Sequence, residues 1–333
     1  MLILVLLSFL TFFPTKNRDN GLQNKTICID PGHGGTADTD HYRVGPTGER
    51  EEWINLRVAK ILQQMLTQKG ARVVMTRDED VFVPLDQRAR IARDANADLF
   101  ISIHHNATAD SSVNFPILYY HGYASENEGS VAFGKLLAKE FISHLYDPRP
   151  TPASLASDFT IFPNAGASVL RNTYGIPAII AEASFFSNAD EERRLKSEAY
   201  NLKEAMAYLK AIEAFFTDPI PPIADLNSRV AQIPPFKVFQ EAERMSPIAK
   251  RWKQDFEEAK ELLQSPNSDD HQIALELFTR SASSFPDSYL AKKCHEYRAQ
   301  LLTKLGDSKA GKEAEIRAKE FYIDLPELMP STD

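Results

Sequence analysis

Cysteine is scarce. The 333 residues hold two, Cys28 and Cys294, far apart. No disulfide framework and no closely spaced Cys-based zinc site is encoded, so both read as unpaired thiols. Positive charge is also in deficit, with 38 Lys plus Arg against 46 Asp plus Glu and a net charge of -8. That balance offers no electrostatic basis for binding nucleic acid or anionic lipid. The N-terminal apolar run, Leu2 to Phe13, is short and broken only by Ser8 and Thr11. Twelve helical residues rise about 18 Å, less than the ~30 Å hydrocarbon core of a bilayer. The length suits the apolar region of an export signal, although no Lys or Arg precedes it and no clear A-x-A cleavage site follows. Residues 1–25 therefore read as a signal peptide or membrane anchor (through residues 2–13) and a polar spacer. Either reading exports the chain to the cell envelope, periplasmic or extracellular.

From Thr26 to about Phe216, apolar strands and amphipathic helices alternate. Strands are expected at Thr26 to Asp30, Arg72 to Thr76, Leu99 to His104, Ile117 to Tyr120 and Ala178 to Glu182. The stretch EEWINLRVAKILQQMLTQKG puts Ile54, Val58, Ile61, Leu62 and Met65 on one face, with Gly70 as its stop. Further helices are expected at Leu85 to Ala95, Glu128 to Leu145 and Asp190 to Phe216, with a Pro-rich loop from Asp147 to Pro163. This alternation predicts an α/β fold, a twisted and mostly parallel sheet with helices on both faces. Ligands of such sheets gather beyond the carboxyl ends of the strands. Residues 218–235, DPIPPIADLNSRVAQIPP, read as a Pro-rich linker. Beyond them, residues 236–333 form a small helical region. Ala274, Phe278 and Pro286 at offsets of four and eight, then LGD at 305–307, suit either a tetratricopeptide-like unit or a plain helical hairpin. One such unit is not stable alone, so it packs on the main domain or meets a protein partner.

The first strand runs into PGHGG. The turn lacks the Lys-Ser/Thr and the spaced third Gly of phosphate loops, so His33 suggests a metal ligand. Two more histidines, His104 and His105, close the strand from Leu99, and strand alternation lets only one enter a given cleft. Glu49, Glu51 and Glu52 open the first long helix, where acidic residues also serve the helix dipole. Two imidazoles and a carboxylate with an open fourth position are a catalytic zinc pattern. Glu182, delivered by the strand from Ala178 among Ile, Ala and Phe, must be paired, metal-bound or raised in pKa. Asp30 is placed to orient His33.

Taken in order, IDPGHGG, EEWINL, TRDED, ADLFISIHHNA and IPAIIAEASFFSN resemble the zinc-dependent N-acetylmuramoyl-L-alanine amidases over residues 26–217. The resemblance implies a hydrolase that cuts the N-acetylmuramoyl–L-alanine amide of peptidoglycan with one Zn²⁺. It implies His33, Glu51 (four before Asn55) and His104 as metal ligands and Glu182 as the catalytic residue. The chain departs from the family pattern in carrying Glu52 after the metal Glu and Ala-Glu-Ala-Ser around Glu182. Arg171 is the candidate for a substrate carboxylate. A zinc peptidase or other amide hydrolase acting on a different substrate, and a non-catalytic, wall-binding pseudoamidase, are the alternatives. The presence of all four positions counts against the second.

Overall fold

The structure, a computed structural model, describes residues 22–35, 43–163 and 165–325. The apolar run at 2–13 lies outside them. Among the described residues no helix is long and apolar enough to cross a membrane. Six strands, β1 (Thr26–Pro31), β2 (Arg72–Met75), β3 (Leu99–Asn106), β4 (Ile117–Tyr120), β5 (Ser154–Ser157) and β6 (Ala178–Phe185), form one sheet in the order β2-β1-β3-β6-β4-β5. Strands β2, β1, β3 and β6 run parallel, and β4 turns antiparallel to β6 while pairing parallel with β5. The carboxyl ends of β1, β3 and β6 therefore share one edge, where the motif residues collect.

Eleven α-helices accompany the sheet among the described residues. Helices α1 (Glu51–Gln68), α3 (Glu128–Phe141) and α6 (Glu198–Phe215) bury one face against Ile27, Ile29, Ile101, Ile103 and Ile179. The opposite face carries Cys28, Phe100, Ile117, Tyr119 and Ile180. It is covered by α2 (Leu85–Asp94) and α4 (Ser168–Asn172), and also by the C-terminal helices α8 (Trp252–Leu262), α9 (Ser268–Ser284) and α10 (Ala291–Lys304). Short α5 (Ala189–Leu195) and α7 (Glu241–Arg244), and the last helix α11 (Ser308–Glu320), complete the set. The helical region is thus part of the second layer of the sandwich, beside α2 and α4. Trp252, Phe256 and Phe278 share one apolar cluster with strand residues Phe100, Tyr119 and Phe185.

The expected helix from Asp190 to Phe216 is two helices, parted at Lys196–Ser197. The carbonyl of buried Leu195 accepts from Arg57 Nη2 and Asn201 Nδ2, which satisfies the break. The expected loop at 147–163 contains β5, whose sequence SLAS carries no alternation to announce it. Its outer edge is covered, because Ser157 N donates to Phe321 O and Ile323 N to Leu155 O. The Pro-rich stretch 218–235 is held down by the buried Glu126 carboxylate, which accepts from the backbone N–H of Asn227, Arg229 and Val230.

Candidate active site at the carboxyl edge of the sheet

Strand β1 ends at Pro31, which has no N–H to continue the ladder, and the chain turns through Gly32. A Cβ there would lie 2.3 Å from the His104 ring, so only glycine lets the loop pass beside it. His33 follows at φ 59°, a left-handed conformation that a non-Gly residue keeps only when its surroundings hold it. Two buried arginines supply that hold. Arg77 Nε donates to Pro31 O at 2.8 Å, and its Nη2 donates to Gly32 O and Glu52 O. Arg88 donates to Pro31 O, Val83 O and, at 2.5 Å, His33 O. Every carbonyl from Pro31 to His33 is thereby taken.

Glu51, in the first turn of α1, is brought to the same spot. Its Oε1 lies 3.1 Å from His33 Nε2 and 2.9 Å from His104 Nδ1, and the two imidazoles meet edge to face at 4.7 Å between centroids. One donor atom from each of the three lies within 4.8 Å of the others, a group able to hold a metal ion. Asn55, one turn on, donates to Glu51 Oε1 and to Gly32 O, tying helix and loop together. Burial alone would raise the Glu51 pKa. The charge of His33 and the hydrogen bonds from His104 and His33 outweigh it, and the carboxyl is held well below its ordinary value. Burial lowers the His33 pKa despite Glu51, which favours the neutral, metal-binding imidazole. The Arg43 guanidinium lies against the same donors, 3.2 Å from His33 Nε2 and 3.8 Å from Glu51 Oε2. The cluster attracts positive charge.

Glu182 stands on β6 at the position paired with His104 on β3, next to the β3 irregularity that re-aims the strand end. Its Oε2 is enclosed and has no hydrogen-bond partner among the described residues. Burial, then the nearby Glu51 charge, pushes its pKa well above the ordinary carboxylate range.

The remaining candidates stand elsewhere. His105 faces the other side of the sheet, its Nδ1 on Asn55 Oδ1 at 2.8 Å and its Nε2 on Glu204 Oε2 at 3.1 Å. Burial works against its protonation, but Glu204 prevails and the His105 pKa rises. Glu52 is buried behind the loop with Arg50 at 3.9 Å, and Glu49 pairs with Arg57 at 2.7 Å. Arg171 is not one of the grouped ligand residues, and its Nη1 donates to Ala165 O and Gly166 O. Asp30 does not orient His33, because its carboxylate is already engaged by Thr76, Arg88 and Ser102 at 2.5, 2.8 and 2.7 Å. Arg43, Arg77 and Arg88 escaped sequence reasoning. Arg77 lies in the TRDED motif, but Arg88 sits in a helix where an arginine ordinarily reads as solvated.

Residues 27–214 match the N-acetylmuramoyl-L-alanine amidase family. The chain is 34% identical over 188 residues to the N-acetylmuramoyl-L-alanine amidase LytC of Bacillus subtilis, covering 56% of this chain and 35% of that one. Among solved structures, AmiC2 of Nostoc punctiforme, an N-acetylmuramoyl-L-alanine amidase, aligns with TM-score 0.50 at 27% identity over 58% of this chain and 98% of its own. The CwlD amidase of Clostridioides difficile, solved in complex with the GerS lipoprotein, aligns with TM-score 0.51 at 25% identity over 58% and 99%. This chain belongs to the N-acetylmuramoyl-L-alanine amidase family and is an enzyme of that class. It spans about a third of the length of LytC, and its helical region lies outside the matched residues.

Proposed function

We propose that the chain is a zinc-dependent peptidoglycan amidase that hydrolyses the bond between N-acetylmuramic acid and L-alanine. The observation that carries this reading is the convergence of His33, Glu51 and His104, with Glu182 at the paired position on the next strand and its enclosed Oε2 without a hydrogen-bond partner among the described residues. Two imidazoles and one ionised carboxylate fit zinc in a catalytic site, three protein ligands leaving a position for water or substrate. A zinc ion there would supply Lewis-acid polarisation of the scissile carbonyl and bring the pKa of water down to about 7. Glu182 would accept the proton of the attacking water and return it to the departing L-alanine nitrogen, which needs a carboxyl whose pKa lies near the working pH. Burial, and then the neighbouring Glu51 charge, move the Glu182 pKa upward from the ordinary carboxylate value, in the direction of that requirement. The Arg77 and Arg88 clamps keep His33 aimed throughout.

A peptidoglycan substrate sets the work in the cell envelope, in agreement with an exported N-terminus. CwlD is solved in complex with a protein, GerS; a protein partner of this chain's helical region would dock on the outward sides of α10 and α11. The inner sides of α8 to α10 are already used by the sheet. The test of the ligand set is metal content. His33→Ala should lose stoichiometric zinc while keeping its circular dichroism spectrum, and full retention of zinc would overturn the assignment.

A further inference from the structure

Ser284 ends α9, and Asp287 lies in the turn before α10, both outside the residues that match the family. They are 5% and 3% exposed, yet Ser284 Oγ and Asp287 Oδ1 have no hydrogen-bond partner among the described residues. Buried polar atoms are usually partnered in native folds, and these two belong to residues that border one cavity. The other Asp287 oxygen accepts from the Tyr119 hydroxyl, which fixes the carboxylate. Both residues line a cavity of about 590 Å³. Asn106 and Ser187, which also line it, follow His104 and Glu182 by two and five residues. The cavity therefore lies near the carboxyl ends of β3 and β6, on the side of the sheet whose apolar cluster holds Phe185, Trp252 and Phe285.

We propose that this cavity is the stem-peptide subsite, in which Asp287 and Ser284 take N–H groups of the peptide, backbone amide or side-chain ammonium. The proposal rests on the amidase reading above. The acceptor-only carboxylate calls for donors, and Arg244 and Lys250 of the same cavity suit carboxylates. A stem peptide carries both kinds of group. An N-acetylated glycan whose lactyl carboxyl is amidated carries hydroxyls but no anion. Specificity for the peptide is thus assigned to the helical region and the reaction to the matched domain.

The test uses the full zinc-loaded chain on two substrate series, one sugar bearing stems of increasing length and one stem on glycans of increasing length. In Asp287→Asn, the ratio of kcat/KM for long against short stems should fall about tenfold, the scale of one lost hydrogen bond to a charged group. The loss should sit in KM, with kcat within about threefold. Arg244→Gln, at a residue that reaches the cavity from α7, should narrow the preference for stems ending in a free carboxylate over amidated ones, and it keeps the test open if Asp287→Asn fails to fold. A fall confined to the glycan series would overturn the proposal in favour of a sugar site, and unchanged ratios in both variants would overturn it outright. Failure of the wild type to release any stem peptide would instead remove the amidase reading beneath it.

Discussion

His104 and Glu182 occupy paired positions on adjacent parallel strands, β3 and β6, at the carboxyl edge of the sheet. One imidazole completes a cluster with His33 and Glu51. The neighbouring carboxylate keeps an enclosed oxygen with no hydrogen-bond partner among the described residues. Sheet pairing therefore sets the spacing between candidate ligand and candidate base, independently of any loop.

Glu182→Gln keeps the shape of that position and removes its basicity. Turnover should fall by about 10²–10⁴-fold, the range general acid–base catalysis contributes, while zinc stays stoichiometric. Loss of zinc together with activity would show that Glu182 acts on the ion instead.

Gly32→Ala places a methyl group 2.3 Å from the His104 ring. The ring must move, and zinc affinity should drop by at least about tenfold, as when a ligand's orientation is disturbed. Competition with a chromogenic chelator measures it. Unaltered affinity would mean that His104 is not held where the account needs it.

Asp30 and Arg88 are 1% and 2% exposed and lie 2.8 Å apart. Breaking such a pair from one side leaves a buried charge, at a cost of about 3–5 kcal/mol. Arg88→Met should lower stability by that amount in denaturant unfolding and loosen His33 as well. Burial alone would raise the Asp30 pKa. Arg88 and the hydrogen bonds from Thr76 and Ser102 outweigh it, and the pKa is lowered. The pair therefore stabilises the fold fully above the unfolded value of about 3.9. That contribution fades as the pH falls through the lower folded value. The stability gap between wild type and Asp30→Asn should accordingly be constant near neutrality and close on acidification. A gap that widens in acid contradicts this sign.

Removing everything after Phe216 strips the C-terminal part of the second layer, α8 to α10, from the sheet and leaves only α2 and α4 on that face. Trp252, Phe256 and Phe278 alone bury apolar area worth on the order of 10 kcal/mol, comparable with the whole stability of a domain. The truncated chain should bind a hydrophobic dye and lose cooperative unfolding, although it retains every residue that matches the family. A soluble, cooperatively folding and active fragment would show that the helical layer is dispensable.

The strands that carry the chemistry were legible because β1, β3 and β6 are buried on both faces and read as near-continuous apolar runs. The short β5 was not, because SLAS sits among prolines and its burial comes from neighbours remote in sequence. The helical region announced its helices through Ala274 and Phe278. Periodicity shows that a helix has an apolar face, not which sheet that face will meet, so its place over Phe100 and Tyr119 needed the structure. His33, Glu51, His104 and Glu182 were legible through local motifs. The groups that position or extend the site, Arg77, Arg88 and Asp287, reach it from 44, 55 and 254 residues beyond His33, as the numbering gives. No local pattern marks them.

The most direct measurement is digestion of purified peptidoglycan by the zinc-loaded chain, with mass analysis of what is released. The account predicts free stem peptides with an L-alanine amino terminus, absent after chelation and absent with Glu182→Gln. Fragments released with the sugar still attached to L-alanine, or release that persists without zinc, would contradict it.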